Sequence, residues 1–229
     1  VVAYKTAYLK KHYPAEFMAA NLTNEIGNPD NFKLYLGEVR TMGIKMLPPN
    51  INISDKYFSV DKGQIIYGIQ GIKNTGGAVV EEIIHKRNTG GPFKSFCDFL
   101  KRVDLRIVNK RVLDSLIKAG LFDSLDKNRA KLAMNADALS DYFSEEQEKK
   151  KMGMMSLFGE DDSSMQPPAM EEIPDWDIKE RPEYEKERLG FYASGHPMDK
   201  YRSEYDKYTT LDMLNLERAP LGRNYTVIG

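Results

Sequence analysis

Apolar residues recur every three or four positions along most of the chain, which is the spacing of one buried helix face. The pattern predicts helices over residues 4–12, 15–27, 28–43, 78–88, 95–103, 110–120, 127–151 and 175–190. Two short runs, KYFSV and QIIYGI, flank the turn sequence Asp61-Lys62-Gly63 and predict a β-hairpin. The fold class predicted from this pattern is mainly α with a small β component.

Residues at the ends of these stretches support the predicted helix boundaries. Asp30, Ser95 and Asn109 stand where an N-cap side chain is favoured. Gly43 and Gly120 stand where a helix commonly ends in a left-handed residue. The boundaries therefore follow from local chemistry as well as from hydrophobic periodicity.

Composition bounds the class of protein. The chain has 229 residues, of which 41% are apolar, enough for one large domain or two small ones. The single cysteine, Cys97, excludes an internal disulfide, and no CxxC pair indicates a zinc or iron–sulfur site. This composition is expected of a cytoplasmic protein, and no apolar run is long enough to indicate a membrane as partner. The chain lacks an initiator Met and opens inside a predicted helix, so we expect a fragment of a longer protein.

Charge is unevenly distributed along the chain, although the formal net charge is only −1. Residues 61–135 hold 14 Lys and Arg against 8 Asp and Glu, whereas residues 136–229 hold 12 against 21. The basic middle suggests a phosphate backbone as partner. Within the acidic part, residues 159–174 carry prolines and few large apolar side chains, which predicts a mobile linker.

A glycine-containing turn lies in the basic middle, directly before a predicted helix. Its residues are Lys73, Asn74, Thr75, Gly76 and Gly77. Glycines let a phosphate approach the backbone, and unpaired N–H groups at a helix N-terminus attract anions. Asn74 is the non-glycine residue type that best tolerates a left-handed conformation. On the glycine spacing alone, however, a plain turn between helices is the better interpretation.

A second unit of short helix, turn and helix follows about thirty residues later and changes this balance. Its turn has no glycine, but Asn109, Lys110 and Arg111 stand at the start of its second helix. Two such units in a basic stretch predict a tandem helix-hairpin-helix. Contacts of this kind hold duplex DNA by its backbone and read no bases.

At this point the chain resembles the alpha subunits of bacterial DNA polymerase III, the C-family of replicative polymerases. The resemblance rests on AYLKKHYPAEFMAANLT, MGIKMLPPNINIS, IIYGIQGIKNTGGAVVEEIIHKR, GPFKSFCDF, NKRVLDSLIKAGLFDSL, SLFG and EKERLGFYASGHPMDKY. These stretches occur in order and cover nearly the whole chain.

The resemblance implies a division of the chain into five regions. They are a helical distal fingers region (1–60), a tandem helix-hairpin-helix DNA-binding domain (61–130), a helix with a clamp-binding peptide and an acidic mobile linker (131–175), a helical linker (176–220) and the start of an OB domain (221–229). The implied partners are duplex DNA, the sliding clamp (beta subunit) and the other domains of the parent polymerase.

The resemblance also implies site residues and their limits. The clamp-binding residues would be Met154, Leu157 and Phe158, with Met154 where the family usually has glutamine. Asn74 likewise stands where the family's first hairpin usually has glycine. The parent would be a DNA-directed DNA polymerase whose palm aspartates bind Mg²⁺. No palm-like Asp-x-Asp pair on a strand occurs here, so we expect this chain alone to be inactive and to hold no cofactor.

Two other classes of function remain open from the sequence. A DNA repair glycosylase also uses a helix-hairpin-helix followed by an aspartate, and Asp98 lies 22 residues after Gly76. A base-flipping enzyme needs a pocket for the extruded base, to which no sequence feature points. A pure interaction scaffold without DNA contact is the third possibility.

Overall fold

A computed structural model describes residues 1–151, 166–177 and 179–193, with isolated positions 201, 207–209 and 225–226. The chain divides into two compact units, Val1–Ser194 and Gly195–Gly229. All helices and strands described below belong to the first unit. The clamp-binding residues predicted at 154, 157 and 158, and nearly all of the predicted OB strand, lie outside the described residues.

The first unit is mainly helical, as predicted. Its described α-helices are α1 Val2–His12, α2 Pro14–Asn24, α3 Pro29–Thr41, α4 Gly77–Gly90, α5 Phe96–Arg102, α6 Lys110–Lys118, α7 Arg129–Lys151 and α8 Glu180–Leu189. Its strands are β1 Met46–Leu47, β2 Ser59–Asp61 and β3 Gln64–Ile66. A single 3-10 turn, Ile69–Gly71, precedes α4.

The three strands form one small sheet in the order β1-β3-β2. β2 and β3 make the predicted antiparallel hairpin, in which Lys62 and Gly63 both have positive φ, at 49° and 72°. Two left-handed residues match the twist of a two-residue hairpin turn. β1 pairs parallel to β3, with Met46 opposite Ile65, which the sequence analysis did not predict.

Helix boundaries differ from the sequence prediction at several ends: α8 begins at Glu180 rather than at 175, α2 ends at Asn24 rather than at 27, and the cap of α3 is another residue. Ser95 and Asn109 cap α5 and α6 as expected. The N-cap of α3 is Asn28 rather than Asp30, and its side chain accepts from the Asn31 N–H. Pro29 explains the shift, because proline favours the first helical position and so leaves the preceding residue as the cap.

One hydrophobic core joins most elements of the first unit, whereas α1 contributes no buried residue to it. It extends from Met18 and Leu22 in α2, through Ile65 and Ile69, to Leu189 at the end of α8. The two predicted regions 1–60 and 61–130 therefore share a core. Packing alone does not separate them into independent domains.

The predicted linker departs from expectation over its second half, because residues 166–177 lie against α7. Asn135 donates to Glu171 O at 3.0 Å and accepts from the Glu171 N–H at 2.8 Å. Asn128 donates to Ile173 O at 2.6 Å. Two asparagine side chains thus bond to the backbone of this acidic, proline-bearing stretch and hold it, although its composition predicted a mobile linker.

A buried ion pair fixes α8 to the start of α7. The side chains of Arg129 and Glu185 are 2% and 0% exposed and approach to 2.9 Å. Arg129 also makes a two-pronged contact with Asp123, with both donor–acceptor distances at 2.7 Å. Desolvation opposes the charged guanidinium, but the hydrogen bonds and charges of Asp123 and Glu185 outweigh it and raise the pKa of Arg129.

The end of α8 lies against the segment that leads into α4. The Tyr67 hydroxyl lies 2.9 Å from both Gly71 O and Leu189 O, so one donor serves two carbonyls. The Tyr67 ring stacks on Phe191, with ring centroids 5.6 Å apart. Burial raises the pKa of Tyr67, which keeps the hydroxyl protonated as a donor.

Candidate nucleic-acid interface

The turn before α4 has the backbone shape that the sequence predicted. Asn74 adopts φ 65°, a left-handed conformation that few residue types other than glycine tolerate. The element before the turn is only one 3-10 turn rather than a helix, because β3 ends at Ile66 and leaves few residues before Lys73. The unit is therefore a 3-10 turn, a tight turn and a helix.

The two glycines of the turn are not required by the fold itself. Gly76 has φ −75° and ψ 160°, which any residue can adopt. A Cβ added at Gly76 would meet no described atom within 4 Å, and one at Gly77 would meet only the Gln70 side chain, at 3.8 Å. Their bare backbone therefore leaves space at the protein surface for a group from outside the chain.

The N-terminus of α4 presents unpaired backbone donors. No side chain caps this helix, whereas the Val79 and Val80 N–H groups bond to Gly76 O. The N–H groups of Gly76, Gly77 and Ala78 make no hydrogen bond to the described residues. Free amides beside the positive end of a helix dipole form an anion site.

Neighbouring elements hold the turn in place from three sides. The Lys73 N–H donates to Arg188 O at the end of α8, at 3.0 Å. Gln70 donates to Thr75 O at 3.2 Å, and the Asn74 side chain donates to the Ser115 hydroxyl on α6, also at 3.2 Å. These contacts fix the direction of the free amides before any ligand binds.

The side chains of the predicted turn residues differ in whether they are available to an anion. Lys73 is exposed and makes no ion pair with the described residues, so its ammonium is available to an anion. The Asn74 side chain is engaged with Ser115 and acts on the shape of the turn. Thr75 is only 6% exposed, and its hydroxyl oxygen has no hydrogen-bond partner among the described residues.

The second predicted site is partly satisfied within the protein. The Asn109 side chain accepts from the Val112 N–H at 3.1 Å and so caps α6. Lys110 pairs with Asp141 on α7 at 2.8 Å, and this hydrogen bond raises the pKa of Lys110. Arg111 is exposed and makes no ion pair within the described part of the chain. The N-terminus of α4 is therefore the stronger anion site of the two.

The structure links the two predicted sites through α6. Asn74 contacts Ser115, which lies six residues after Asn109 along α6. At 1.5 Å per residue, this separation is about 9 Å along the helix axis. Both sites can therefore contact one ligand of the size of a nucleic-acid backbone.

Sequence reasoning missed the part that α8 has in this site. The contact is a backbone carbonyl, that of Arg188, which receives the Lys73 N–H from 115 positions earlier in the chain. A backbone contact of this range leaves no residue-type pattern. Only the helical periodicity of 175–190 indicated that a buried face existed there.

Asp98, the residue on which a glycosylase mechanism would depend, has a structural environment. Its carboxylate accepts from the Lys94 N–H at 3.0 Å and from Arg102 at 3.2 Å. Lys94 directly precedes Ser95, the N-cap of α5, and Arg102 is the last residue of this helix. The geometry therefore assigns Asp98 to helix capping and an ion pair.

Other classes of site can be examined over the described ranges. Across residues 1–151, 166–177 and 179–193, no group of three or more His, Cys, Asp and Glu side chains is arranged to hold a metal ion. Among the described helices, none combines the length and the apolar character needed to cross a bilayer.

Comparison with known proteins was made against this geometry. The helix-hairpin-helix motif family matches residues 43–132. A DNA polymerase III subunit alpha from Borreliella burgdorferi is 46% identical over 217 residues, covering 93% of the chain and 19% of that relative. The Treponema pallidum subunit is 41% identical over 233 residues (100% and 20%), and the Thermus aquaticus subunit 41% over 201 residues (88% and 16%). The chain thus spans about a fifth of the length of the relatives it matches.

Proposed function

The chain belongs to the DNA polymerase III alpha subunit family over the segment that it spans, and we propose on this premise that it holds duplex DNA by the phosphate backbone. The family relation and the helix-hairpin-helix match support DNA as the ligand. Binding without base reading is the finer part of the proposal.

The single observation that carries the proposal is the set of free amides at the N-terminus of α4. Three N–H groups, from Gly76, Gly77 and Ala78, lie beside the positive end of a 14-residue helix with no side-chain cap. Phosphate oxygens are the acceptors that such a site suits. Since each backbone phosphate is alike, this contact carries no sequence information.

The second site adds Arg111 and the first amides of α6, the helix whose Ser115 receives the Asn74 side chain of the first site. If about four phosphates are engaged in all, the slope of log K against log salt concentration is about −3.6, from roughly −0.9 per phosphate. A pure interaction scaffold would show no such slope with duplex DNA.

The test uses the substitution Gly76→Val. Its side chain enters open space and its backbone is unstrained, so the fold is preserved while phosphate approach is blocked. We expect at least a tenfold loss of affinity for all duplex sequences, measured by fluorescence anisotropy. Gly37→Val, where an added Cβ also meets nothing within 4 Å, is the matched control. Unchanged binding by Gly76→Val would refute the proposal, and a loss confined to one sequence would refute backbone recognition.

We propose nucleotide transfer, with Mg²⁺ as cofactor, as an activity of the whole polymerase and not of this chain alone. The support is that the Asp-x-Asp pair of the sequence, Asp175-Trp176-Asp177, does not lie on a strand: Asp175 pairs with Arg181, and Asp177 accepts from the Glu180 N–H. Primer extension by the isolated chain with Mg²⁺ and all four nucleotides should stay at the level of a mock preparation.

Sliding-clamp binding by Met154, Leu157 and Phe158 is a further part of the proposal. Burial of Leu157 and Phe158 would contribute about 1.5–3 kcal/mol each. Leu157→Ala with Phe158→Ala should abolish binding of the cognate clamp in calorimetry, and Met154→Gln should strengthen it. A double variant that binds as well as the parent chain would assign the clamp contact to another part of the polymerase.

A glycosylase remains the alternative, and Asp98→Asn separates the two classes. The glycosylase would be favoured if the parent chain released bases from damaged duplex or cleaved abasic duplex and the Asp98→Asn variant did not. The capping and ion-pair contacts of Asp98 argue for a structural part and against catalysis.

A further inference from the structure

A polar cleft opens where the C-terminal ends of α4, α5 and α7 meet. Its volume is about 340 Å³, and its lining residues, here called the basic cleft, are Lys86, Lys101, Arg102, Val103, Asp104, Gln147 and Lys150. Four of the seven are cations and one is an acid. The cleft therefore carries a local excess of positive charge.

The usual reason for cations at helix C-termini does not account for the lysines. Lys and Arg are favoured there because they satisfy the last carbonyls and offset the dipole. In the basic cleft Arg102 already donates to Lys86 O and Gly91 O, at 2.5 and 2.8 Å. Gln147 donates to Val103 O at 2.8 Å and to Leu100 O at 3.2 Å. The lysine ammonium groups are therefore not needed by these carbonyls.

Acidic side chains pair with three of the four cations, and the two shorter pairs are Arg102 with Asp98 at 3.2 Å and Lys150 with Glu146 at 2.5 Å. Asp104 is engaged by Arg106 through two contacts of 3.0 and 2.7 Å. Lys86 lies 3.8 Å from Glu82 on its own helix, at the long end of ion-pair distances. Lys101 makes no ion pair with any described residue. An anion that enters the cleft thus meets one cation without an ion pair among the described residues, Lys101, and one whose pair is as long as 3.8 Å, Lys86.

We propose that the basic cleft binds a second phosphate group of the DNA backbone. The proposal rests on the proposed function, since it supposes that the N-terminus of α4 holds the same DNA. Lys86 lies nine residues after Gly77 on this one helix, so the two sites are about 14 Å apart along its axis. A polar, cation-lined cleft suits a phosphate and excludes an apolar ligand.

Two phosphate sites at opposite ends of α4 would fix the direction of the bound duplex, which a single site cannot do. A single phosphate site allows the duplex to rotate about the point of contact. A second site on the same rigid helix fixes the direction of the duplex axis relative to α4. The basic cleft would therefore orient DNA that the α4 N-terminus only retains.

The test compares two triple variants of the full chain with equal charge change. The first is Lys86→Gln, Lys101→Gln and Lys150→Gln, and the control is Lys5→Gln, Lys33→Gln and Lys45→Gln, all exposed and unpaired within the described residues. Duplexes from about 8 to 20 base pairs are titrated at several salt concentrations. We expect the cleft variant to lose about tenfold in affinity for the longest duplex, with a salt slope smaller by about 1 to 2. The loss should fade as the duplex shortens.

The outcomes distinguish the two proposals. Replacement of the same lysines by arginine should restore binding and guards against an effect on folding. An equal loss in both triple variants would reduce the effect to general charge and overturn the second anchor. If Gly76→Val weakens binding at every length while the cleft variant does not, the second anchor is wrong and the proposed function stands. If the cleft variant binds DNA normally but no longer binds an acidic peptide that the parent chain binds, the cleft belongs to a protein partner. That result would also overturn the inference.

Discussion

The ion pair between Arg129 and Glu185 provides a sharp test of how α8 is held. Arg129→Met would leave the carboxylate of Glu185, which is 0% exposed, buried without its cation. Breaking one side of a buried pair costs about 3–5 kcal/mol of unfolding free energy. Glu185→Gln should cost less, about 1.5–3 kcal/mol, because Arg129 keeps its two contacts with Asp123. The prediction is this asymmetry, with the arginine substitution the more damaging.

Urea unfolding followed by circular dichroism measures the effect. With a slope of about 2 kcal/mol per molar urea, Arg129→Met should lower the midpoint by about 1.5–2.5 M. Lys56→Met, which removes the exposed pair with Glu81, is the control and should leave the midpoint almost unchanged. Replacing both partners, by Arg129→Met and Glu185→Leu, should recover part of the loss because no charge stays buried. A midpoint for Arg129→Met equal to that of the control would refute the reasoning.

Three further predictions concern single side chains. Burial raises the pKa of Tyr67 above that of a tyrosine in the unfolded chain. The folded protein should therefore lose stability as the pH rises above about 10. Tyr67→Phe should remove part of this loss, measured by thermal unfolding between pH 10 and 12. Asn74→Val should lower the unfolding free energy by about 1–2 kcal/mol because φ is 65°, whereas Asn74→Gly should be much milder in the same urea assay. Asn135→Ala removes both hydrogen bonds to Glu171 and should speed proteolysis within 166–177, and an unchanged cleavage rate would show that other contacts hold this stretch.

Features set by neighbours in sequence were predictable. Ser95 and Asn109 cap their helices because the donors they satisfy lie three residues away. The β2–β3 turn follows from Lys62 and Gly63, whose positive φ values the turn type requires. The left-handed Asn74 belongs to the same group, since the conformation depends on one residue and its turn.

Features set by distant partners were not predictable from one sequence. The parallel pairing of β1 with β3 depends on a sheet edge that β2 leaves open. Residues 166–177 have the composition of a free linker, and their hydrogen-bond partners include Asn128, directly before α7, and Asn135 on α7. The α4 N-terminus could be predicted as a candidate site, whereas its support by Arg188 could not.

The docking of residues 166–177 also determines how much the preceding stretch can change in length. The chain leaves α7 at Lys151 and meets the same helix again where Glu171 bonds to Asn135. These two points are 16 residues apart on the helix, or about 24 Å. About seven extended residues would bridge this distance, and the chain has twenty. The connection could therefore lose several residues and still reach from Lys151 to the stretch held by Asn135.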